Sequence, residues 1–358
     1  MTRVLHLPTP VGGMPWGLAQ GERSLGLNSQ VLYTYTNWLD YPNDICLNLE
    51  RVNSRLVKLK KLSSTFFAIR DKFDVFHFNF GQSLINTEKL GMIQVEIPFY
   101  PQKAKLFVTY NGCDARQKYP TVARREISAC HSHDCFDGVC NSGKRDRMRR
   151  KGIAKMAKYV RHMWAVNPDL LHFLPKEKAS FLPYAVILDK SSPKKPTFDK
   201  KKLKVVHAAT DRAAKGSDII IAAMEQVKKT AASKVEFQVI ENLPHQQATK
   251  VYREADLIID QVLVGWYGGI AVEVMSMGKP VICRIEEEDL HFIPKQMAAD
   301  LKDAFIQGEE TNLKEVILRC IEDREFLQRK SEAGLDYART WHDPKYVAGI
   351  TKEAYESS

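Results

Sequence analysis

The sequence predicts an α/β protein with two domains, each built around a parallel sheet. The first observation is that a strand, a glycine turn, a helix and a second strand follow one another in residues 4–33. The second is that the same order returns in residues 256–285. This order is typical of βαβ units, whose strands run parallel. The third is a stretch rich in lysine, proline and serine, residues 190–203, which has the composition of a linker.

The composition is that of a globular chain. Its 358 residues, 44% hydrophobic and 27% charged, are enough for two domains of ordinary size. We find no apolar run of about 18 residues and no apolar core of a secretory signal near residue 1. We therefore expect a cytoplasmic protein, with peripheral contact to the inner face of the membrane as an alternative. The seven cysteines are then expected to be reduced thiols.

The net charge of +10 predicts an anionic partner. Basic residues concentrate at 55–61, 144–151 and 194–204. We expect no nucleic acid, because the chain has no recognised nucleic-acid module and no basic run interleaved with aromatic residues. Nucleotide phosphates, an anionic acceptor and an anionic membrane surface remain open.

The chain begins with a βαβ unit. Residues 4–8 form the first predicted strand, followed by Gly12 and Gly13, a helix over 16–25 and a strand over 29–33. The glycines do not have the spacing of the dinucleotide-binding fingerprint.

Two buried strands are predicted next, at residues 74–80 and 104–110. The second ends in a polar turn that contains Asn111 and Asp114. Open α/β sheets place ligand-contacting groups at this carboxyl edge. A plain turn with an Asx cap is the alternative. His77, in the middle of the first of these strands, is expected to be a core histidine.

Residues 144–161 are strongly basic and amphipathic. Their apolar positions mark one helical face: Ile153, Met156, Val160 and the following Trp164. We expect this face to pack inward and the basic face to be solvated. The alternative is a peripheral membrane contact through residues 144–161.

Three cysteines and two histidines lie within residues 130–140. Thiolates and imidazoles are ligands of zinc, so Cys130, His133, Cys135 and Cys140 are a candidate structural zinc site. Their spacing is not that of a standard zinc finger, and a loop of reduced thiols is the alternative.

The second half repeats the βαβ order. Its predicted elements are strand 205–209, turn 210–216, helix 217–229, strand 235–240 and helix 246–255. Arg212 and Lys215 fall in the turn, at the carboxyl edge of the predicted sheet. Two cations beside a helix N-terminus suit a phosphate group. The alternative is a pair of surface charges.

The glycine-rich turn between strand 256–260 and helix 269–277 is the main candidate site. Gly268 and Gly269 have no Cβ, so a ligand can approach the backbone closely. The free N–H groups at the helix start favour an anion such as a diphosphate. Glu273 lies about one helical turn further on, where its carboxylate can accept two hydrogen bonds from a ribose. The alternative is a tight turn followed by a solvated glutamate.

Several motifs resemble those of retaining glycosyltransferases of family 4, which have the GT-B fold. Residues 215–216 resemble the Lys-Gly turn after the first strand of that family's second domain. Residues 255–259 resemble its alanine-aspartate strand, and residues 273–281 the end of its Glu-x7-Glu motif. Residues 10–13 look like its N-terminal glycine loop, and residues 341–347 like its closing helix.

The resemblance implies an α/β protein of GT-B architecture. Two Rossmann-like domains are expected to face each other across a cleft, with C-terminal helices crossing back. The implied parts are an N-terminal acceptor-side domain (1–189), a linker (190–203), a C-terminal donor-binding domain (204–340) and a C-terminal helix that returns to the first domain (341–358).

The resemblance also implies an activity. A hexosyl group passes with retention from a nucleoside-diphosphate sugar, the co-substrate, to an acceptor hydroxyl, and no further cofactor is required. The acceptor is expected to be a sugar, a lipid-linked molecule or another anionic molecule. The implied donor-binding residues are Gly12, Gly13, Thr210, Arg212, Lys215, Tyr267, Gly268, Gly269, Ile270 and Glu273. The residues expected to act in catalysis are Glu273, Lys215, Arg212, Asn111 and Asp114.

The sequence departs from the family pattern at three places. Gly265 stands where the first glutamate of Glu-x7-Glu is usual, Thr210 where an arginine is usual, and Asn111 where a histidine is common. The usual carboxylate on the donor sugar is then missing, with Asp260 or the backbone as a candidate substitute. Two alternatives therefore stay open: a nucleotide-sugar epimerase of the same fold, and a non-catalytic relative that binds nucleotide-sugar or acceptor.

Overall fold

A computed structural model of the chain describes residues 1–37, 39–86, 93–189 and 198–357. The chain divides into two compact units. The first comprises Met1–Gln117, Lys144–Val186 and Asp343–Ser358. The second comprises Lys118–Gly143 and Ile187–His342.

The strands of the described residues form two sheets. In chain order they are β1 (Arg3–Leu7), β2 (Asn28–Tyr33), β3 (Ile45–Cys46), β4 (Val75–Asn79), β5 (Lys105–Tyr110), β6 (His162–Ala165), β7 (Ala179–Phe181), β8 (Leu203–Ala208), β9 (Val235–Ile240), β10 (Leu257–Gln261), β11 (Val281–Cys283) and β12 (Phe305–Gln307). The first unit has the order β3-β2-β1-β4-β5-β6-β7 and the second β12-β11-β10-β8-β9. All the pairings are parallel.

The α-helices of the described residues connect or cover these strands. They are α1 (Met14–Ser24), α2 (Arg55–Ile69), α3 (Lys118–Arg124), α4 (Lys144–Tyr159), α5 (Arg212–Lys215), α6 (Ser217–Ala231), α7 (His245–Glu254), α8 (Gly269–Ser276), α9 (Lys295–Ala304), α10 (Leu313–Glu322), α11 (Arg324–Trp341) and α12 (Pro344–Ser357). Within these described parts, no helix reaches the length and apolar character that crossing a bilayer requires.

The apolar face of α4 packs inward, as expected from the sequence. Ile153 and Met156 of α4 are buried. Val160 and Trp164, which we predicted on the same helical face, are also buried, but Val160 follows the helix and Trp164 lies in β6. Lys144, Arg147, Arg150, Lys151 and Lys158 are exposed, whereas Arg149 pairs with Asp146 and Lys155 donates to the carbonyl of Ile93. Tyr159 is a large apolar side chain of α4 that is exposed. The arrangement gives no apolar anchor for the membrane contact that we considered for residues 144–161.

We predicted a first domain of residues 1–189, which includes Lys118–Gly143, the part that we call the cysteine-rich segment. This segment belongs to the second unit. The physical reason is a buried anchor: Arg125 forms an ion pair with Asp289 and donates from Nη1 to the carbonyl of Val264 at 2.9 Å. The backbone N–H of Ala129 donates to the carbonyl of Leu263 at 3.2 Å. The predicted linker 190–203 lies partly outside the described residues, which resume at 198.

The last helix, α12, packs against α1 in the first unit. A Cβ added at Gly21 would lie 1.9 Å from the carbonyl oxygen of Pro344, so only glycine allows this approach. The hydroxyl of Tyr355 donates to Glu22 at 3.0 Å and lies 2.5 Å from His77 Nδ1. His77 is therefore a core histidine, and burial lowers its pKa.

Candidate active site

Two loops at the carboxyl edge of the second sheet meet at Asp260, a buried residue of β10. Lys215 Nζ lies 2.5 Å from Asp260 Oδ1, and the N–H of Gly268 donates to Oδ2 at 2.8 Å. A Cβ added at Gly268 would lie 3.4 Å from Lys215 Nζ. The structure thus brings together two residues predicted to bind the donor, and Asp260 is the group that joins them.

The loop after β8 is held in place on both sides of Lys215. Gly216 has φ +74°, and a Cβ there would lie 2.6 Å from Val262, so the turn requires glycine. Burial lowers the pKa of His207. The neutral ring donates from Nδ1 to the carbonyl of Ile259 at 2.8 Å, and Nε2 therefore accepts from the Ser217 hydroxyl at 2.8 Å. The backbone that carries Lys215 is thus held in place, and Asp260 orients the ammonium.

The start of α8 lies next to this cation. Gly268 is the residue before the helix and supplies no side-chain cap. The first amides of a helix have no intrahelical acceptor and favour an anion. Gly269 and Ile270 are only half-buried, so the start of α8 is not closed off from solvent. The ring of Tyr267 is buried against Trp266 and Phe305. Tyr267 can therefore contribute only its backbone.

Glu273 has partners of its own on α7. Its Oε2 lies 2.9 Å from His245 Nε2, and its Oε1 accepts from the Thr249 hydroxyl at 3.1 Å. The hydrogen bond to Glu273 raises the pKa of His245. The Glu273 side chain keeps 14% exposure. A carboxylate has about four lone-pair sites, so both oxygens can accept a further hydrogen bond.

Arg212, which was predicted to bind the donor together with Lys215, pairs with a different carboxylate. The guanidinium of Arg212 pairs with Glu241, with Nε at 2.8 Å and Nη2 at 3.2 Å, and Thr210 is exposed. Asp211 between them caps α5 and accepts the N–H of Phe136 at 3.0 Å. The loop and the cysteine-rich segment line a cavity of about 390 Å³. Arg212 belongs to that cavity and not to the Asp260 group.

Gly265 occupies the place of the family's first glutamate, and the structure shows why a side chain is absent. Its φ is +82°, and a Cβ there would lie 2.6 Å from Arg125 Nη1. The guanidinium of Arg125 fills the space into which a residue at 265 would extend. Glycine at position 265, where the family usually has glutamate, thus leaves room for Arg125 of the cysteine-rich segment.

The first unit holds the remaining predicted residues. Gly12 and Gly13 have φ of +55° and +67°, and a Cβ on Gly12 would meet nothing within 4 Å. Asn111 Oδ1 accepts the N–H of Phe80 at 3.1 Å, and its Nδ2 lies 3.4 Å from the sulfur of Met14, which follows the glycines. Asn111 and the glycine turn therefore lie close together.

Asp114 closes its own turn. Its carboxylate accepts the N–H of Asn111 at 3.0 Å and that of Gly112 at 2.6 Å. Burial raises the pKa of Asp114 to about 6, although these donors act in the opposite direction. These hydrogen bonds from backbone N–H groups to the side chain agree with the alternative, a plain turn closed by an aspartate.

The proposed zinc ligands do not come together. Within the described parts of the chain, the one group of three or more His, Cys, Asp or Glu ligand atoms within 4.8 Å of one another is His6, Glu22 and His77. Cys130, His133, Cys135 and Cys140 therefore do not form such a group, and His133 is exposed. Cys130 and Cys135 lie in two separate 3-10 helices, Ala129–His131 and Cys135–Gly138, and His133 and Cys140 lie in the bends and turns beside them.

Sequence reasoning missed His245, Thr249 and Arg125. His245 and Thr249 are four residues apart on a helix, a spacing that places both on one face. That spacing could have pointed to a shared partner. Nothing in the local sequence of Arg125 indicates that it would reach Val264, because the contact joins segments 139 residues apart.

No protein-family model matches the chain, and no curated protein matches it in sequence. Solved structures do match. Sucrose-phosphate synthase from Thermosynechococcus elongatus is 14% identical with a TM-score of 0.63, covering 99% of this chain and 98% of that one. Anabaena Alr3699/HepE in complex with UDP-glucose is 13% identical with a TM-score of 0.61. UDP-GlcNAc 2-epimerase from Neisseria meningitidis bound to UDP-GlcNAc is 14% identical with a TM-score of 0.54. Each of these two matches covers 100% of this chain and 100% of the other.

The chain therefore has the two-domain α/β arrangement of the GT-B fold, with parallel sheets of seven and five strands in the described residues. This confirms the fold class predicted from the sequence.

Proposed function

We propose that this protein is a glycosyltransferase that moves a hexosyl group from a UDP-sugar to an acceptor hydroxyl with retention. One observation carries the proposal: Lys215 and the amide of Gly268 are joined by the buried carboxylate of Asp260, beside the accessible start of α8. The descriptions of two similar structures, HepE with UDP-glucose and the epimerase with UDP-GlcNAc, support a uridine nucleotide.

The diphosphate of the donor binds at Lys215 and the first amides of α8. An ammonium has three N–H donors, and Asp260 takes one of them, which leaves others for phosphate oxygens. Negative charge gathers on the leaving diphosphate as its bond to the sugar breaks. A fixed cation and fixed amides stabilise that charge without reorganising. Lys215 thereby supplies cationic charge at the leaving group, and we propose that no divalent metal is required.

The ribose binds at Glu273. Its carboxylate is oriented by His245 and Thr249, so the lone pairs that remain have fixed directions. A vicinal diol donates to both oxygens in one plane. The raised pKa favours the protonated form of His245, whose ring N–H holds the Glu273 carboxylate in place.

The transfer step needs no protein nucleophile. The bond between the anomeric carbon and the phosphate oxygen breaks, and the acceptor oxygen bonds to that carbon on the same face. The departing phosphate oxygen takes the acceptor proton. The open side of Gly12 and the amide of Asn111 in the first unit are proposed to contact the acceptor.

The test is incubation of the purified chain with UDP-, GDP- and ADP-glucose. A transferase releases the nucleoside diphosphate, slowly with water and faster with a suitable acceptor, and the rate is unchanged by EDTA. Conversion of one UDP-sugar into another identifies an epimerase instead. A rise in melting temperature with no turnover identifies a binding protein. Either of these last results, or release only from a donor other than UDP-sugar, contradicts the proposal.

A further inference from the structure

Helix α2 in the first unit has two apolar faces. Leu62, Phe66 and Ile69 are buried, and Phe66 packs against Tyr100 with ring centroids 5.1 Å apart. On the opposite side, Leu56 is 79%, Phe67 66% and Val57 52% exposed. A surface helix is expected to be polar on the side away from the core. The outer apolar face of α2 is therefore unusual.

These exposed side chains lie along the helix. At 3.6 residues per turn, Leu56, Lys60 and Phe67 fall on one row, and Phe67 is about three turns from Leu56. Val57 lies beside this row. The guanidinium of Arg70 lies 5.9 Å from the ring of Phe67, at the end of the row. The outer face of α2 is thus an apolar strip with cations within it and at its end.

The charge on α2 has one sign. Its 15 residues include Arg55, Lys58, Lys60 and Lys61 and no aspartate or glutamate. Lys61 donates to the carbonyl of Leu47 at 2.7 Å, while Arg55 and Lys60 are exposed. A partner that covers this face must accept cations and apolar side chains together.

We propose that the outer face of α2 lies on an anionic lipid surface. Exposed apolar side chains interleaved with lysine and arginine are typical of helices that lie in the plane of a bilayer interface. Leu56, Val57 and Phe67 enter the acyl boundary, and Arg55 and Lys60 contact anionic headgroups. Lysine stems are long enough to keep the charge at that level.

A second copy of the chain is a poorer occupant. A two-fold contact through α2 would bring its cations against the same cations of the other copy, with no carboxylate on the helix to pair them. Like charges in contact disfavour such an interface. An anionic lipid surface has the complementary sign over its whole area. The lipid contact stands independently of the proposed transferase activity.

The experiment is cosedimentation of the full chain with vesicles, without nucleotide. One set contains phosphatidylcholine alone, and the other equal parts of phosphatidylcholine and phosphatidylglycerol. The wild type is expected to bind the anionic vesicles and not the neutral ones. Leu56→Ser with Phe67→Ser is expected to lower the partition coefficient at least about tenfold, since both apolar anchors are lost. The melting temperature should be unchanged, because both side chains are exposed.

Helix α4 supplies the matched control. Arg55→Ser with Lys60→Ser removes two charges from α2, and Arg147→Ser with Lys151→Ser removes two exposed charges from α4. Only the α2 pair should weaken vesicle binding strongly. The proposal is overturned if the wild type does not bind anionic vesicles, if the Leu56 and Phe67 double variant still binds, or if the α4 pair has the larger effect.

A second readout is Phe67→Trp. Its emission, taken as a difference from the wild type with its five tryptophans, should shift to the blue with anionic vesicles. Tyr159→Trp on α4 should show no shift. A concentration-dependent shift without vesicles would identify self-association through α2 and overturn the lipid assignment.

Discussion

Each sheet has a glycine turn at its carboxyl edge, but the two edges use their polar groups differently. In the second unit, the Asp260 carboxylate binds a cation and a loop amide and leaves the Lys215 ammonium facing the helix start. In the first unit, the Asp114 carboxylate binds the two amides of its own turn. Asn111 holds two neighbouring segments together.

The difference separates an edge where a carboxylate orients a lysine from an edge where a carboxylate only binds backbone amides. A buried carboxylate that fixes a lysine creates a cation whose position does not change when a ligand arrives, which is what stabilises a developing charge. A carboxylate with a raised pKa, held in a turn, offers no such cation. We therefore expect substitutions at the second edge to change the chemistry, and substitutions at the first to change mainly stability or acceptor binding.

The largest effect is expected from Lys215→Met. Removing the cation leaves the leaving diphosphate with amides alone, so kcat should fall about a hundred-fold to a thousand-fold. Asp260→Asn should also lower kcat, because the lysine loses the acceptor that orients it. Initial-rate measurements of nucleoside diphosphate release check both. Lys200→Met is the matched control: Lys200 also pairs with an aspartate, Asp256 at 2.8 Å, but at the opposite edge of the sheet.

The proposed role of the second edge in the chemistry is contradicted if Lys215→Met and Lys200→Met lower kcat equally. It is also contradicted if Lys215→Met changes only the melting temperature. Either result would mean that the Lys215–Asp260 pair is a structural ion pair with no contact to substrate.

Glu273→Gln is expected to raise the dissociation constant of UDP about tenfold, since one of the two ribose acceptors becomes a donor. Loss of the negative charge should also lower the pKa of His245, because the hydrogen bond to Glu273 is what raises it. Calorimetry measures the first effect and NMR titration of the imidazole the second. Glu254 is an exposed glutamate at the end of α7, the helix that carries His245, and Glu254→Gln should change neither quantity. A normal UDP affinity in Glu273→Gln would place the ribose elsewhere.

Gly265→Ala should lower the free energy of unfolding for two reasons. The left-handed backbone at φ +82° disfavours alanine by about 1–2 kcal/mol, and the new Cβ would displace Arg125 from Val264. The melting temperature should fall by several degrees. Gly349→Ala is the control: it lies in α12 with nothing within 4 Å of an added Cβ, so it should raise stability by up to about 1 kcal/mol. Equal melting temperatures for the two variants would remove the argument for Arg125 as an anchor.

The sequence predicted the local features of this comparison and missed the distant ones. The glycine turns and the positions of β8, β10 and α8 follow from short-range patterns of apolar residues and glycines. The pairing of Lys215 with Asp260 joins residues 45 apart, and no local pattern encodes it. The position of the cysteine-rich segment depends on Arg125 reaching Asp289, 164 residues further on. Turns and periodicity are therefore predictable, and the partner of a buried charge is not.

The smallest effect concerns the first edge, at Asp114. Burial raises its pKa from 3.8 to about 6, so the folded state binds the proton more tightly than the unfolded chain. Its contribution to stability is complete below about pH 4 and is lost as the pH rises through about 6. In Asp114→Asn the group no longer titrates. The melting temperature of the wild type minus that of the variant should therefore decrease between pH 4 and 7, as calorimetry can measure. A difference that is constant over this range would show that folding does not raise the pKa of Asp114.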